Sequence, residues 1–154
     1  MGMIYTLRPS RDGFVTQQNY VYAMIAPYVG SVALVKVGVS LDPVHRLGAI
    51  ASGCPLRIAH LRAYRIGTRH KAFRIEAEMH ARLSAYHERG EWFRFDMAEQ
   101  NHKEALWGGF RASLGRHFRS PPSVLDIGSD QIQEAVNMAA MEKWHGRRKM
   151  IRPA

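Results

Sequence analysis

Four ionisable side chains, far apart in the sequence, have the types needed to hydrolyse a phosphodiester bond. A phenol, an ammonium, a guanidinium and a carboxylate are supplied by Tyr22, Lys36, Arg46 and Glu76. Such hydrolysis needs a group that orients or deprotonates a water, a cation over the phosphoryl oxygens, and stabilisation of the departing oxyanion. The four residues are therefore a candidate catalytic set, provided that the fold brings them together. Two histidines close to them in sequence are further candidates, namely His45 and His80.

Two segments rich in β-branched and aromatic residues, 19–26 and 32–40, carry the first two candidates. A short loop with proline and glycine separates them, so we predict a β-hairpin. A symmetric loop places Tyr22 directly across from Lys36 on one face of the sheet. A register shift of one residue would move one of the two side chains to the other face.

Helical patterns carry the other two candidates. An aspartate and a proline begin a helix predicted over 43–52, with Arg46 near the edge of its apolar stripe. A second helix, predicted over 68–86, has a continuous apolar stripe with Glu76 at its border. A carboxylate at such a border is costly unless a cation, a metal or a hydrogen-bond donor meets it. The structural alternative is a buried ion pair, for example with Arg62.

The remaining patterns predict an α+β fold. Residues 56–67 alternate like a third strand, 92–95 form a short strand or extended segment, and 98–118 have helical spacing that two glycines weaken. We therefore expect a small three-stranded antiparallel sheet flanked by helices, with a C-terminal helical extension.

Composition shifts divide the chain into three parts. We predict an N-terminal arm at 1–18, the main domain at 19–119, and a proline-containing linker with a basic helix and tail at 120–154. Non-specific contact with phosphates needs little more than clustered positive charge. We therefore assign DNA contact to Arg62 and to four basic residues near the C-terminus, namely Lys143, Arg147, Arg148 and Lys149.

The motifs around the four candidates resemble those of the GIY-YIG nuclease superfamily. They are VYA at 21–23, LVKVGVS at 34–40, DPVHRL at 42–47, EAEMH at 76–80 and GEWF at 90–93. In the compact phage and bacterial subgroup that the chain resembles, KIG or KVG replaces YIG, and GEWF closes the module. The chain lacks the leading glycine and the isoleucine of GIY, and it has no clear counterpart of the terminal asparagine of many members.

This resemblance implies a single-metal nuclease that cleaves DNA. Tyr22 would orient or deprotonate the attacking water, Lys36 would lower the pKa of Tyr22 or hold the phosphate, and Arg46 would bind the scissile phosphate. Glu76 would be the sole protein ligand of Mg²⁺, or of Mn²⁺ in its place, with water and phosphate completing the coordination. The GEWF motif, including Glu91, is interpreted as architectural.

The charge of the chain favours a polyanionic partner. Twenty-two Lys and Arg against thirteen Asp and Glu leave a formal charge of +9, and the isoelectric point is about 10.2. Such a field attracts nucleic acid, because each neutralised phosphate releases counterions. We therefore expect DNA as the partner, although no residue separates DNA from RNA. The alternative function is a catalytically inactive nucleic-acid-binding or structural protein that has the same scaffold.

Other classes of protein fit the sequence less well. Cys54 is the sole cysteine, so no internal disulfide forms and a reducing cytoplasm is expected. No apolar run reaches the length of a membrane span, so no membrane partner is expected. The eight histidines lack the spacing of a tetrahedral zinc site. The oligomeric state does not follow from the sequence.

Overall fold

The computed structural model describes residues 18–150, with side chains described for 18–142. Its centre is a six-stranded antiparallel sheet in the order β4-β5-β2-β1-β3-β6. The strands are β1 Asn19–Pro27, β2 Val32–Ser40, β3 His60–Gly67, β4 His87–Arg89, β5 Trp92–Asp96 and β6 Val124–Ile127. The expectation of a three-stranded sheet is wrong, because β4, β5 and β6 extend it on both sides. These strands have only three to five residues, which is too short for alternation to be recognised reliably.

Helices cover both faces of this sheet. They are α1 Pro43–Gly53, α2 Arg69–Arg82, α3 Gln100–Lys103, α4 Gly109–His117 and α5 Ser129–Met150. Side-chain caps begin both α1 and α2: Asp42 accepts from the His45 amide, as predicted, and Thr68 accepts from the Lys71 amide. A π-helical turn, Glu104–Gly108, joins α3 to α4. None of the helices in the described part of the chain is long and apolar enough to cross a membrane.

The alternation of strand residues creates two separate cores. Val21, Ala23 and their neighbours pack with the apolar stripes of α2 and α4 on one face. Tyr22 and Met24 pack on the other face with residues of α1 and α5, including Leu47. The molecule is therefore a three-layer structure in which α1 and α2 lie on opposite faces of the sheet.

The register of the hairpin differs from the predicted one by two residues. Tyr22 pairs with Gly38, whereas Lys36 pairs with Met24. The last pair is Pro27 with Ala33, so the five-residue connection begins one residue later than a symmetric connection after Ala26, and each partner moves along by two. Because side chains alternate with a period of two, Tyr22 and Lys36 still share one face, as diagonal rather than direct neighbours.

Helix α5 packs closely on α1. A Cβ added at Gly48 would lie 2.6 Å from the Cβ of Ala139, so the absence of a side chain permits the contact. The ring of His45 on α1 lies 3.4 Å from the carboxylate of Glu142 on α5. The division of the chain at Ser120 stays a prediction, although β6 beyond it pairs with β3 in the same sheet.

A buried ion pair connects α2 to α4, and its removal is expected to destabilise the fold. Glu78 accepts a hydrogen bond of 2.9 Å from His117, and both side chains are largely buried. Burial raises the pKa of Glu78, but the hydrogen bond and charge of His117, together with the charges of Arg116 and Arg82, hold the pKa below its ordinary value. We expect His117→Ala to cost about 1–3 kcal/mol in urea unfolding, because it leaves the carboxylate buried without its partner.

The pH dependence of this cost has a defined sign. A lowered folded-state pKa means that the Glu78 contribution is present above the ordinary carboxylate range and is lost as pH falls through the lowered pKa. His70→Ala is the matched control, because His70 is exposed on the same helix as Glu78. A His117→Ala variant as stable as His70→Ala at neutral pH would show that the pair contributes nothing.

Candidate functional site

The candidate site lies where β2 extends past its neighbour β5. Strand β5 pairs with β2 only from Val32 to Lys36. In the described part of the chain, no strand pairs with residues 37–40 on this side of β2. This unpaired stretch of β2 is here called the open edge. The Val37 amide donates to the Glu91 carbonyl at 3.2 Å, and the Val37 carbonyl accepts from the His80 ring at 3.0 Å. Groups from both faces of the sheet meet at this edge, although α1 and α2 lie on opposite faces.

Tyr22 and Arg46 form the part of the site contributed by β1 and α1. The Tyr22 side chain is only 1% exposed, and its hydroxyl hydrogen bonds with the exposed Arg46 guanidinium. A Cβ added at Gly38 would lie 2.5 Å from this hydroxyl oxygen and 2.8 Å from the adjacent ring carbon. The phenol therefore occupies the space that any other residue at position 38 would need for its side chain.

The charge state of Tyr22 follows from this packing. Burial raises the pKa of its phenol, the hydrogen bond and charge of Arg46 lower it, and the charges of Glu91 and Glu76 raise it further, for a net increase. The phenol is therefore neutral at pH 7 and acts as a hydrogen-bonding group. Lys36 is not among the causes of this shift, and its predicted effect on the pKa of Tyr22 stays a prediction.

Lys36 has a different partner, Glu91. The Lys36 ammonium forms an ion pair with the Glu91 carboxylate and lies 5.9 Å from the centre of the Trp92 ring. The Lys36 side chain is 12% exposed and that of Glu91 is 46% exposed. Gly90, with a φ of +56°, forms the turn that directs Glu91 back to β2.

Glu76 completes the site from α2. Burial raises the pKa of its carboxyl group; the His80 charge lowers it, the Glu91 charge raises it and the Lys36 charge lowers it, for a net increase. The nearest His80 nitrogen is 4.0 Å away, while the His80 ring packs edge-on against Phe93. Two carboxylates, Glu76 and Glu91, thus lie next to the open edge together with two cations, Lys36 and Arg46.

The structure brings together five of the six predicted catalytic candidates, namely Tyr22, Lys36, Arg46, Glu76 and His80. His45 instead points to Glu142 of α5, so its predicted catalytic role has no contact that supports it.

Of the predicted DNA-contacting residues, Arg62 alone has a described side chain. Arg62 forms an ion pair of 2.8 Å with Asp126 on the far side of β1, which also removes it as the counterion of Glu76. The side chains of Lys143, Arg147, Arg148 and Lys149 lie outside the described residues, so their predicted role stays a prediction.

Sequence reasoning missed two members of the site. Glu91 was interpreted as architectural, yet its carboxylate is the partner of Lys36 and affects the pKa of both Tyr22 and Glu76. Gly38 was not selected, although a glycine inside a strand often indicates a close approach of another group. Glu91 follows the glycine of the GEWF motif, and Gly38 is the glycine of the KVG motif. These motif glycines are the signal that could have identified both residues.

The donors present at the site suit a hard divalent cation. Among the described residues, no group of three or more His, Cys, Asp or Glu could hold a metal ion. Mg²⁺ does not need such a group, because it commonly binds one or two carboxylates and keeps water and substrate phosphate as its other ligands. Glu76, with its raised pKa, and Glu91 supply the oxygen donors that this mode of binding requires.

Cations at one edge of the sheet in a strongly basic chain favour a polyanionic partner. The family comparison is more specific: the model of the T5orf172 domain matches residues 19–106, and the chain belongs to this family. The T5orf172 domain is a nuclease-like, DNA-binding domain. The resemblance to the GIY-YIG superfamily is corrected by this match, because the family shown is a different one. No curated protein and no solved structure matches the chain.

Proposed function

We propose that this protein is an endonuclease that hydrolyses phosphodiester bonds of DNA with the help of one bound Mg²⁺ or Mn²⁺. The family supports a nuclease-like, DNA-binding domain. The observation that carries the finer proposal is the meeting of Tyr22, Arg46, Lys36, Glu76 and Glu91 at the open edge, from both faces of the sheet.

The cations of the site would bind the scissile phosphate. Arg46 is exposed and its guanidinium already lies at the Tyr22 hydroxyl, where it can donate two parallel hydrogen bonds to phosphate oxygens. Lys36 adds a point charge whose position is fixed by the ion pair with Glu91. These donors stabilise the negative charge that develops on the phosphoryl oxygens as the water attacks.

Tyr22 would orient the attacking water by a hydrogen bond. Its raised pKa keeps the proton on the phenol at neutral pH, so the geometry favours orientation over proton removal. Because Arg46 interacts with the Tyr22 hydroxyl, a phosphate bound by Arg46 would lie next to the phenol.

Glu76, supported by Glu91, would hold the metal ion. The bound ion would supply Lewis-acid stabilisation of the phosphate and lower the pKa of a coordinated water. Burial, together with the charge of Glu91, raises the pKa of the Glu76 carboxyl group against the opposing charges of His80 and Lys36, so a bound cation would favour its ionised form.

Nicking of a supercoiled plasmid tests this proposal. With Mg²⁺ or Mn²⁺ we expect conversion to the open circular form, and with EDTA we expect none. Cleavage of a duplex RNA, compared with cleavage of a duplex DNA of the same length, decides between RNA and DNA as the substrate. Salt-sensitive binding of the plasmid without any nicking in either metal would overturn the proposal and establish the inactive, nucleic-acid-binding alternative.

The raised pKa of Glu76 predicts a pH dependence of metal affinity. The metal binds the ionised carboxylate, so its affinity is full above the raised pKa and falls as pH decreases through it. Because the pKa is raised, this loss begins at a higher pH than for an ordinary glutamate. Calorimetric titration with Mn²⁺ at a series of pH values measures it. An affinity that does not change down to the ordinary glutamate range would contradict the assignment of Glu76.

A further inference from the structure

A cleft on the face of the sheet that α2 and α4 cover combines aromatic rings with arginines. It encloses about 360 Å³ between β3, the helical segment 104–117 and the chain that leads into β6. Its lining includes Arg62, Tyr64, Trp107, Arg111 and Arg119. Tyr64 belongs to the core between the sheet and α4, on the face opposite to Tyr22, and β1 separates its strand from the open edge. The cleft is therefore separate from the candidate site.

One wall of the cleft is a preorganised cationic and aromatic surface. The Arg62 guanidinium lies 4.8 Å from the centre of the Trp107 ring. Asp126 accepts hydrogen bonds of 2.8 and 3.2 Å from two nitrogens of this guanidinium, which hold it over the indole. Tyr64 stacks on Phe110 at 5.1 Å next to this pair. Arginine planes and aromatic rings held in this way are surfaces on which nucleobases stack.

The backbone at Trp107 is irregular. The residue lies in the π-helical turn Glu104–Gly108, a rare conformation that occurs frequently at functional sites. The extra residue in this turn changes the direction of the side chains that follow the preceding helix. Trp107 is half-buried and lines the cleft, whereas Leu106 beside it is fully buried in the core.

The cleft also has positive charge that no nearby carboxylate neutralises. Arg111 and Arg119 are exposed, and within residues 18–142 neither forms an ion pair. Lys71 lies 4.8 Å from the centre of the Phe118 ring, which also lines the cleft. Rings next to unneutralised cations match the chemistry of a nucleotide, in which a flat base adjoins an anionic phosphate.

We propose that this cleft binds one unpaired nucleotide of a nucleic-acid strand, with its base stacked on the Arg62–Trp107 pair and its phosphate held by Arg111 and Arg119. The inference rests on the proposed nucleic-acid substrate but not on its cleavage. A cavity of this volume lies within the range of small-ligand sites. The cleft would then hold a single-stranded part of the substrate away from the open edge.

Binding of a fluorescently labelled pentathymidylate to the full-length chain, measured in EDTA, tests the inference. We expect Trp107→Leu to weaken binding roughly 5- to 150-fold, the range for losing one base–aromatic stack. We expect Arg111→Gln to weaken binding about 3- to 10-fold. The number of phosphate contacts obtained from the salt dependence of the affinity should fall by about one. Quenching of intrinsic tryptophan fluorescence by unlabelled oligonucleotide should decrease in Trp107→Leu.

Two control variants show whether a loss of binding comes from the cleft itself or from removing any aromatic ring or any positive charge. Tyr28→Leu removes an exposed ring that lies 5.7 Å from Arg94, an aromatic–arginine contact elsewhere on the surface. Arg116→Gln removes one charge from the same helix as Arg111 without touching the cleft. Both should bind the oligonucleotide within about two-fold of the wild type. Equal losses in the cleft variants and these controls would overturn the inference.

Two further ligands test the role of the base. An abasic oligonucleotide of equal length should bind more weakly than pentathymidylate, and inorganic phosphate should not compete at equal concentration. Equal binding of the abasic strand would show a charge-only surface and reject the stacked base. If binding depends on the base but the plasmid is not cleaved, the proposed nuclease function is wrong and the nucleotide-binding cleft stands. If the plasmid is cleaved but Arg111→Gln and Trp107→Leu bind the oligonucleotide like the wild type, the nucleotide-binding role of the cleft is wrong and the nuclease function stands.

Discussion

Glu76→Gln is expected to reduce plasmid nicking by at least about 100-fold at saturating Mg²⁺, the scale of losing one electrostatic contact to a transition state. The substitution keeps the shape of the side chain but removes the charge that a divalent cation needs. Glu91 remains in the variant, but its carboxylate is ion-paired with Lys36 and replaces the lost charge of Glu76 only in part. Nicking under single-turnover conditions, together with calorimetric binding of Mn²⁺, measures the effect.

The same substitution is expected to stabilise the folded protein in the absence of metal. Burial raises the pKa of Glu76, so folding disfavours its ionised form, and this cost is absent at low pH and present above the raised pKa. Removing the charge at pH 7 should therefore raise the melting temperature, as is common for residues kept for function rather than stability. Differential scanning calorimetry at pH 7 and at low pH should show the gain at the higher pH.

Glu78→Gln is the matched control, because it makes the same change two residues away on the same helix. Glu78 contacts His117 on α4 and does not reach the open edge. It should retain wild-type nicking and lose stability, which is the opposite pattern to that of Glu76→Gln. Wild-type nicking by a folded Glu76→Gln variant would remove Glu76 from the mechanism.

The long elements of the fold could be predicted from the sequence because each one has its own signal. The hairpin alternates over nine residues in each strand, and α1 and α2 begin at side-chain caps. The buried stripe of α2, including Ile75 and Met79, follows directly from its periodicity. The size of the sheet could not be predicted, because β4 and β6 acquire their identity from pairing with β5 and β3 rather than from their own residues.

Several members of the candidate site could be identified from the sequence, but their pairings could not. The border position of Glu76 on α2 identified a carboxylate that folding leaves partly desolvated, and its pKa is raised by burial. Its position relative to Tyr22 could not be derived, because α2 and Tyr22 lie on opposite faces and meet only where β5 ends. The two-residue shift in register likewise exchanged the partner of Tyr22 from Lys36 to Gly38.

Gly38→Ala is expected to disturb both stability and catalysis, because Tyr22 occupies the space that the new methyl group needs. The added Cβ would lie 2.5 Å from the Tyr22 hydroxyl oxygen and 2.8 Å from the ring carbon that bears it. Tyr22 is 1% exposed and cannot move aside without disrupting its neighbours. We expect a cost of about 1–3 kcal/mol in urea unfolding, the usual scale of overpacking.

Catalysis should respond to the same collision through the hydrogen bond between Tyr22 and Arg46. A displaced phenol no longer meets the guanidinium, so nicking by Gly38→Ala should fall at least as far as nicking by Tyr22→Phe. Combining the two substitutions should cost less than the sum of both, because the phenylalanine lacks the oxygen that is closest to the new methyl group. Gly53→Ala is the control, since a Cβ there meets nothing within 4 Å, and it should stay within about 0.5 kcal/mol of the wild type. Strict additivity of Gly38→Ala and Tyr22→Phe would show that the glycine serves some purpose other than making room for the phenol.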